Sequence, residues 1–236
     1  MDGDGVLSPG ETWSYTSATE AAQDLSYEVT QHTTFYLTGN SYTTGSYGNT
    51  RTFTRDGVEV EVSAFSRNNY GTWQDAYLGA YGGGLGVTNR GESGSSHRMD
   101  NQGWDEYIVF QFDNEVVIDD VFLDYVGYDS DISYWVGNRA GDIDNLSDSL
   151  LSSFTEESNF TGSSYDRWAD INNSELSGDT FIISAYTYGS NDSFKVRKLG
   201  LESTLEVNTG DYVNIASVDT GLATDTDFSG YTNPVV

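Results

Sequence analysis

Apolar and polar residues alternate with period two along much of this chain, and the alternation predicts strands. Val58, Val60, Val62 and Ala64 fall on one face, with Glu59, Glu61 and Ser63 on the other. A half-buried strand produces this spacing because successive side chains point to opposite sides of the sheet. Ile108, Phe110 and Phe112 repeat the pattern, as do Val121, Leu123 and Tyr125, and Phe181, Ile183 and Ala185. Tyr27 to Leu37 predicts one more strand. Phe194 and Val196, followed by Leu199 and Leu201, change phase and predict a bulge. Turn signals separate these runs at Asp56-Gly57, Gly82-Gly83-Gly84, Asp113-Asn114 and Ser190-Asn191-Asp192. Helix is scarce. Leu146, Leu150, Leu151 and Phe154 share a helical face over 146–154, and Thr19 to Asp24 is a weaker helical stretch. The expected fold is all-β, a jelly-roll-like antiparallel β-sandwich with little helix. Three segments are expected: an N-terminal extension over 1–40, the sandwich over 41–203, and a polar tail or edge strands over 204–236.

Charge narrows the range of partners. There are 37 acidic side chains against 10 basic ones, a formal net charge of −27. Such a field repels nucleic acid and anionic membrane surfaces and draws in cations. Clustered carboxylates are the hard oxygen donors that calcium takes, although a solvated acidic surface gives the same composition. Cysteine is absent, which removes disulfides, thiolate metal sites and thiol nucleophiles. A secreted domain without staples is expected to use bound calcium for stability. No apolar run is long enough to cross a membrane as a helix, and no basic-then-apolar leader follows Met1.

The first residues carry a calcium-loop pattern. In the twelve-residue EF-hand loop the ligands occupy positions 1, 3, 5, 7, 9 and 12, with glycine at 6. Asp2 falls at position 3, Asp4 at 5, Gly5 at 6, Val6 at 7 through its carbonyl, Ser8 at 9 and Glu11 at 12. Position 1 would precede Met1, so the expectation is that either the natural chain extends upstream or the loop is incomplete. An Asp-Gly turn ahead of a strand is the competing reading.

A second oxygen-rich stretch lies in the middle. The glycines of 82–86 let a backbone approach closely, and Asn89, Glu92, Asp100, Asn101, Asp105 and Glu106 follow within a short span. Asp192, just before a late strand, is the expected closing ligand of this calcium site. A polar loop held by Arg90 and Arg98 is the alternative. Asp129 and Asp131 flank a turn and form a second candidate cation site. His97 is expected to be a structural, hydrogen-bonding residue.

The residues that carry a resemblance begin at Arg51-Thr52-Phe53-Thr54 and Asp56-Gly57-Val58-Glu59-Val60. They continue through Tyr77-Leu78-Gly79-Ala80-Tyr81, Gly83 to Glu92, His97 to Asn101, Asp105 to Asp113 and Asp129 to Ser133. In this order, over roughly residues 50–203, the chain resembles the exosortase-dependent, PEP-CTERM class of bacterial surface proteins. The resemblance implies a secreted β domain at the cell surface or in a biofilm matrix, and no defined biochemical activity. The Val-Pro-Glu-Pro signal, apolar helix and basic end usual in that class are missing from the sequence, which stops at Asn233-Pro234-Val235-Val236. Processing, or another route to the surface, is the corresponding expectation.

Catalysis is not expected. His32 and His97 are the two histidines, no Gly-x-Ser-x-Gly elbow occurs, and among so many acids no carboxylate pair stands out. Two non-catalytic readings remain. One is a calcium-stabilised structural protein that associates with copies of itself into fibres by strand exchange. The other is a calcium-dependent carbohydrate-binding module or adhesin, with Trp73, Trp104, Trp135 and Trp168 as the stacking platform for a glycan.

Overall fold

The computed structural model describes residues 26–39, 42–92, 97–208, 211–219 and 224–232, and in them the alternating segments are antiparallel strands. In chain order these are β1 (Ser26–Tyr36), β2 (Thr50–Arg55), β3 (Val58–Arg67), β4 (Trp73–Asp75), β5 (Tyr77–Tyr81), β6 (Gly84–Thr88), β7 (Met99–Asp100) and β8 (Asp105–Asp124). Then come β9 (Ile132–Gly137), the single-turn helix α1 (Asp148–Leu151), β10 (Thr155–Asn159), β11 (Arg167–Asp170), β12 (Ser177–Ala185), β13 (Ser193–Asn208), β14 (Asp211–Asp219) and β15 (Thr224–Thr232). The fold is an all-β antiparallel sandwich.

β8 organises it. The sequence predicts two strands here, divided by a turn at Asp113-Asn114. The structure instead has one strand of 20 residues running through that point. Its first half pairs with β3 and β12, and its second half with β13 and β11. The ladder to β12 breaks between Gly178–Val116 and Thr180–Gln111. A strand that bends in this way passes from one layer of a sandwich to the other. One layer is therefore β10-β9-β12-β8-β3, with β2 and β4 beside β3. The other is built around β13, which pairs with β8, β6, β1 and β7. Val62, Ile108, Phe110, Phe181 and Tyr134 from the first layer meet Phe35, Leu85, Val121, Leu199 and Leu201 from the second in a single buried cluster.

The phase change in β13 is a bulge: the register to β8 shifts between Val196 and Lys198, and again between Gly200 and Leu201. The inward pattern of Val121 and Leu123 does not extend to Tyr125. That residue has a positive φ of 57° and is exposed, so the strand ends one residue earlier. The helix predicted over 146–154 is only Asp148–Leu151, capped by the Ser147 side chain, which accepts from the Leu150 amide. Ser152 and Ser153 follow it and favour turns over helix continuation. Its apolar residues still act together. Leu146 and Phe154, with Ile143, cover Phe65, Tyr107, Val109, Trp135 and Ile182 on the outer side of the first layer.

The chain divides into two units, Thr30–Thr204 and Met1–Val29 with Leu205–Val236. Residues 30–40, grouped above with an N-terminal extension, belong to the larger unit, because Phe35 and Leu37 are buried in its core. In the smaller unit β14 and β15 form a two-stranded ladder from Asp211–Thr232 to Asp219–Thr224. The segment 19–24 lies outside the described residues.

The glycines of 82–86 do bring backbones together, although the partner is not a ligand. The carbonyl oxygen of His97 occupies the place a side chain at Gly86 would take. Gly86→Ala must push that segment away from β6 and is expected to lower stability by about 1–3 kcal/mol, as overpacking does. Chemical denaturation checks this.

Candidate cation site and carboxylate cluster

The structure separates the carboxylates of the central stretch into two neighbouring assemblies, because β8 turns adjacent side chains to opposite faces. Glu106 points inward and is fully buried. Its Oε1 accepts from the backbone amide of Asn89 and from Asn89 Nδ2, both at 3.1 Å, and its Oε2 accepts from the Asp100 amide at 3.0 Å. Glu92 lies within hydrogen-bond reach of the same carboxyl and also accepts from the Asn89 amide at 3.0 Å. Burial, then the charges of Glu92 and Asp100, hold Glu106 well above the ordinary carboxylate range. Burial likewise pushes Asp100 up to about 6. Among the described residues no Lys or Arg forms an ion pair with any of the three. Asn89, Glu92, Asp100 and Glu106 are thus brought together as the sequence reading expects. The arrangement suits a Glu106 that keeps its proton and donates it to Glu92.

Asp105, next in sequence, faces the other way. It pairs across the strands with Arg67, whose charge partly offsets the upward push of burial on its carboxyl.

Asn101 and Asp192 join the second assembly. Asn101 Nδ2 donates to Asp192 Oδ2 at 2.8 Å, and the Asp192 amide donates to Asn101 Oδ1 at 3.1 Å. Asp192 Oδ1 accepts from the Asp131 amide at 3.0 Å, and Asp129 and Asp192 form a parallel bridge. One carboxylate oxygen each from Asp129, Asp131 and Asp192 lies within 4.8 Å of the other two. Asp192 is only 2% exposed. Burial raises its pKa first, and the charges of Asp129 and Asp131 raise it further. Arg167 lies close enough to respond to Asp131 and Asp129, yet its guanidinium donates to Ser130 and Asn159 instead. Three converging carboxylate oxygens, with solvent access past the half-buried Asp129 and Asp131, fit a hard cation that completes its shell with water. Asp129, Asp131 and Asp192 thus form a candidate cation site, with Asn101 hydrogen-bonded to Asp192.

The remaining expected ligands, Asp2, Asp4, Val6, Ser8 and Glu11, lie outside the described residues. Of the four tryptophans read as a glycan platform, Trp135 is 3% exposed and packs in the outer cluster of the first layer. Trp73 packs against the same cluster, stacks on Tyr107 at 4.7 Å, and donates from Nε1 to Asp148 at 2.7 Å. Trp104 is half-buried beside Gly91. Trp168 alone of the four is exposed, so these rings do not form one surface. The His97 ring packs against Tyr81 with centroids 4.7 Å apart.

Compared with family models, with curated proteins and with solved structures, the chain matches none.

Proposed function

We propose that this chain is a non-catalytic, calcium-stabilised structural module of the bacterial cell surface or extracellular matrix. The observation that carries the reading is the convergence of Asp129, Asp131 and Asp192. The three come from the loop after β8 and the turn before β13, segments 61 residues apart at the Asp131–Asp192 hydrogen bond. A cation there would tie two distant loops at one end of the sandwich. It would also offset the repulsion among these carboxylates, which Arg167 relieves only in part without a direct ion pair. The stated likeness of residues 50–203 to exosortase-dependent surface proteins supports an extracellular location. The acidic surface suits a compartment where calcium is plentiful.

Self-association is the second part of the proposal. β14 and β15 pair only with each other among the described residues. A lone two-stranded ribbon is marginally stable in water, so its free edges would gain from pairing with a strand of another copy.

The test is thermal melting together with particle size, in calcium and in chelator. Calcium at about a hundred times its dissociation constant adds about 2.7 kcal/mol to the native state. For a unit of this size that is a rise of roughly 5–10 °C in Tm. Asp131→Asn and Asp192→Asn should abolish the rise. An unchanged Tm with and without chelator removes the calcium reading. A particle that stays monomeric at high concentration in calcium removes the assembly reading.

A further inference from the structure

The outer face of the β1-β13-β8-β11 layer carries a row of aromatic rings that the core does not use. The inner face of these strands buries Phe35, Leu199, Val121, Leu123 and Ala169. Alternation sends the intervening side chains outward. Trp168 on β11 stands opposite Phe122 on β8, and Phe122 stands opposite Lys198 on β13. The Trp168 and Phe122 rings are 5.2 Å apart. The Lys198 ammonium lies 5.2 Å from the Trp168 ring, 5.3 Å from Phe122 and 5.2 Å from Tyr36 on β1. Lys198 thus fills the gap between rings while its charge rests against their faces. Trp168 is 45% exposed and Tyr36 55%. Four strands at about 4.8 Å spacing make the row about 14 Å long, more than one sugar ring.

A strip of acceptors runs beside it. Asp170 is opposite Asp120, and Asp120 is opposite Gly200. The missing side chain at Gly200 leaves room for the Asp120 carboxylate to lie over the sheet. Further along, Asp119 and Glu202 gather with His32, whose Nδ1 is 3.1 Å from Glu202 Oε1.

We propose that this face binds a glycan chain without acidic groups. Exposed indole and phenol rings match the C–H faces of pyranose sugars, and the adjacent carboxylates accept from sugar hydroxyls or amines. Charge selects within the class: Asp119, Asp120, Asp170 and Glu202 outnumber Lys198, His32 and the Arg55 guanidinium over Tyr36, so uronic-acid and sulfated polymers are repelled while neutral and amine-bearing ones are admitted. A dry protein interface fits poorly, because interface centres are depleted of charged side chains, whereas here they lie beside the rings. The proposal goes beyond the structural role above and does not depend on the cation at Asp129, Asp131 and Asp192.

The experiment is calorimetric titration of the whole chain with cello-, xylo-, manno- and chito-oligosaccharides, acetylated and deacetylated, with alginate and hyaluronate as acidic controls. Trp168→Ala and Tyr36→Ala are titrated in parallel, and Trp168→Phe serves as the conservative variant. The expected result is binding to at least one neutral or amine-bearing chain. Trp168→Ala or Tyr36→Ala should weaken it at least about tenfold while Tm stays unchanged, and Trp168→Phe should restore most of it. Chelator should leave binding intact, which separates this result from the calcium test. Absence of binding to every non-acidic chain at millimolar concentration overturns the proposal. So does binding that both alanine variants leave intact, or binding confined to the acidic polymers.

Discussion

Phe110→Ala is expected to cost the larger unit about 3–5 kcal/mol, the loss found when a buried aromatic leaves a cavity. Phe110 sits in the middle of the shared strand β8, opposite Val62 of β3 on one side and Phe181 of β12 on the other. It is fully buried, and its ring lies 5.8 Å from that of Phe181. The strands around it are tied through both ladders, so they have little freedom to collapse into the space. Urea denaturation should show a lower midpoint with an unchanged slope, the mark of lost stability rather than a changed unfolded state. Tyr70→Ala is the control: that side chain is 95% exposed, and its change should stay within about 0.5 kcal/mol. A Phe110→Ala loss as small as the control's would mean that the two layers do not pack as described.

Glu106→Ala is expected to be nearly as damaging, with an effect that depends on pH. The change leaves Asn89 Nδ2 and the Asp100 amide without their acceptor, while the Asn89 amide keeps Glu92. Buried donors cost about 1–3 kcal/mol each when unpaired, so the two together cost about 2–6 kcal/mol. The sign of the pH dependence follows from the raised pKa values. A carboxyl that titrates higher when folded binds its proton more tightly in the native state than in the unfolded chain. Its contribution therefore falls as pH rises from the unfolded value near 4 through the folded one. For Asp100 that window ends at about 6, and for Glu106 it continues higher. Wild-type stability should accordingly rise as pH is lowered from 8 to 5. General repulsion across so acidic a surface gives the same sign, so the informative quantity is the difference between wild type and variant. That difference should be larger at pH 5, below the raised values of Glu106 and Asp100, than at pH 8. A deficit that is equal at both, or larger at pH 8, would show that Glu106 is held as a carboxylate and not as an acid.

Much of the architecture is legible in the sequence because alternation is a local property. Val60, Val62 and Ala64, or Ile108, Phe110 and Phe112, announce their inward face without knowledge of the partner strand. The phase change between Val196 and Leu199 likewise announces a bulge. The Asp129–Asp131 pair and Asp192 are visible as oxygen donors before turns and strands. The exposed face was also partly signalled: Phe122 stands out of phase between the inward Val121 and Leu123, a large apolar side chain where alternation calls for a polar one.

Grouping is what the tertiary structure decided. Asp113-Asn114 has turn chemistry, yet a bend between two layers needs the same residues as a turn between two strands. Only pairing with β12 and β13 shows that the strand bends there and goes on without reversing. Asp105 and Glu106 read as two ligands of one site, but the pleat sends them to opposite sides, toward Arg67 and toward Asn89. Asp192 is closer in chemistry to the central carboxylates than in space, because the ladder places it beside Asp131. The tryptophans are the clearest case. Their ring chemistry is the same at Trp135 and at Trp168, and whether a ring packs inside or faces solvent depends on what the chain lays over it: the α1 loop covers Trp135, and Trp168 is left exposed beside Phe122. Local pattern fixes which residues share a face, and long-range strand order fixes which faces meet.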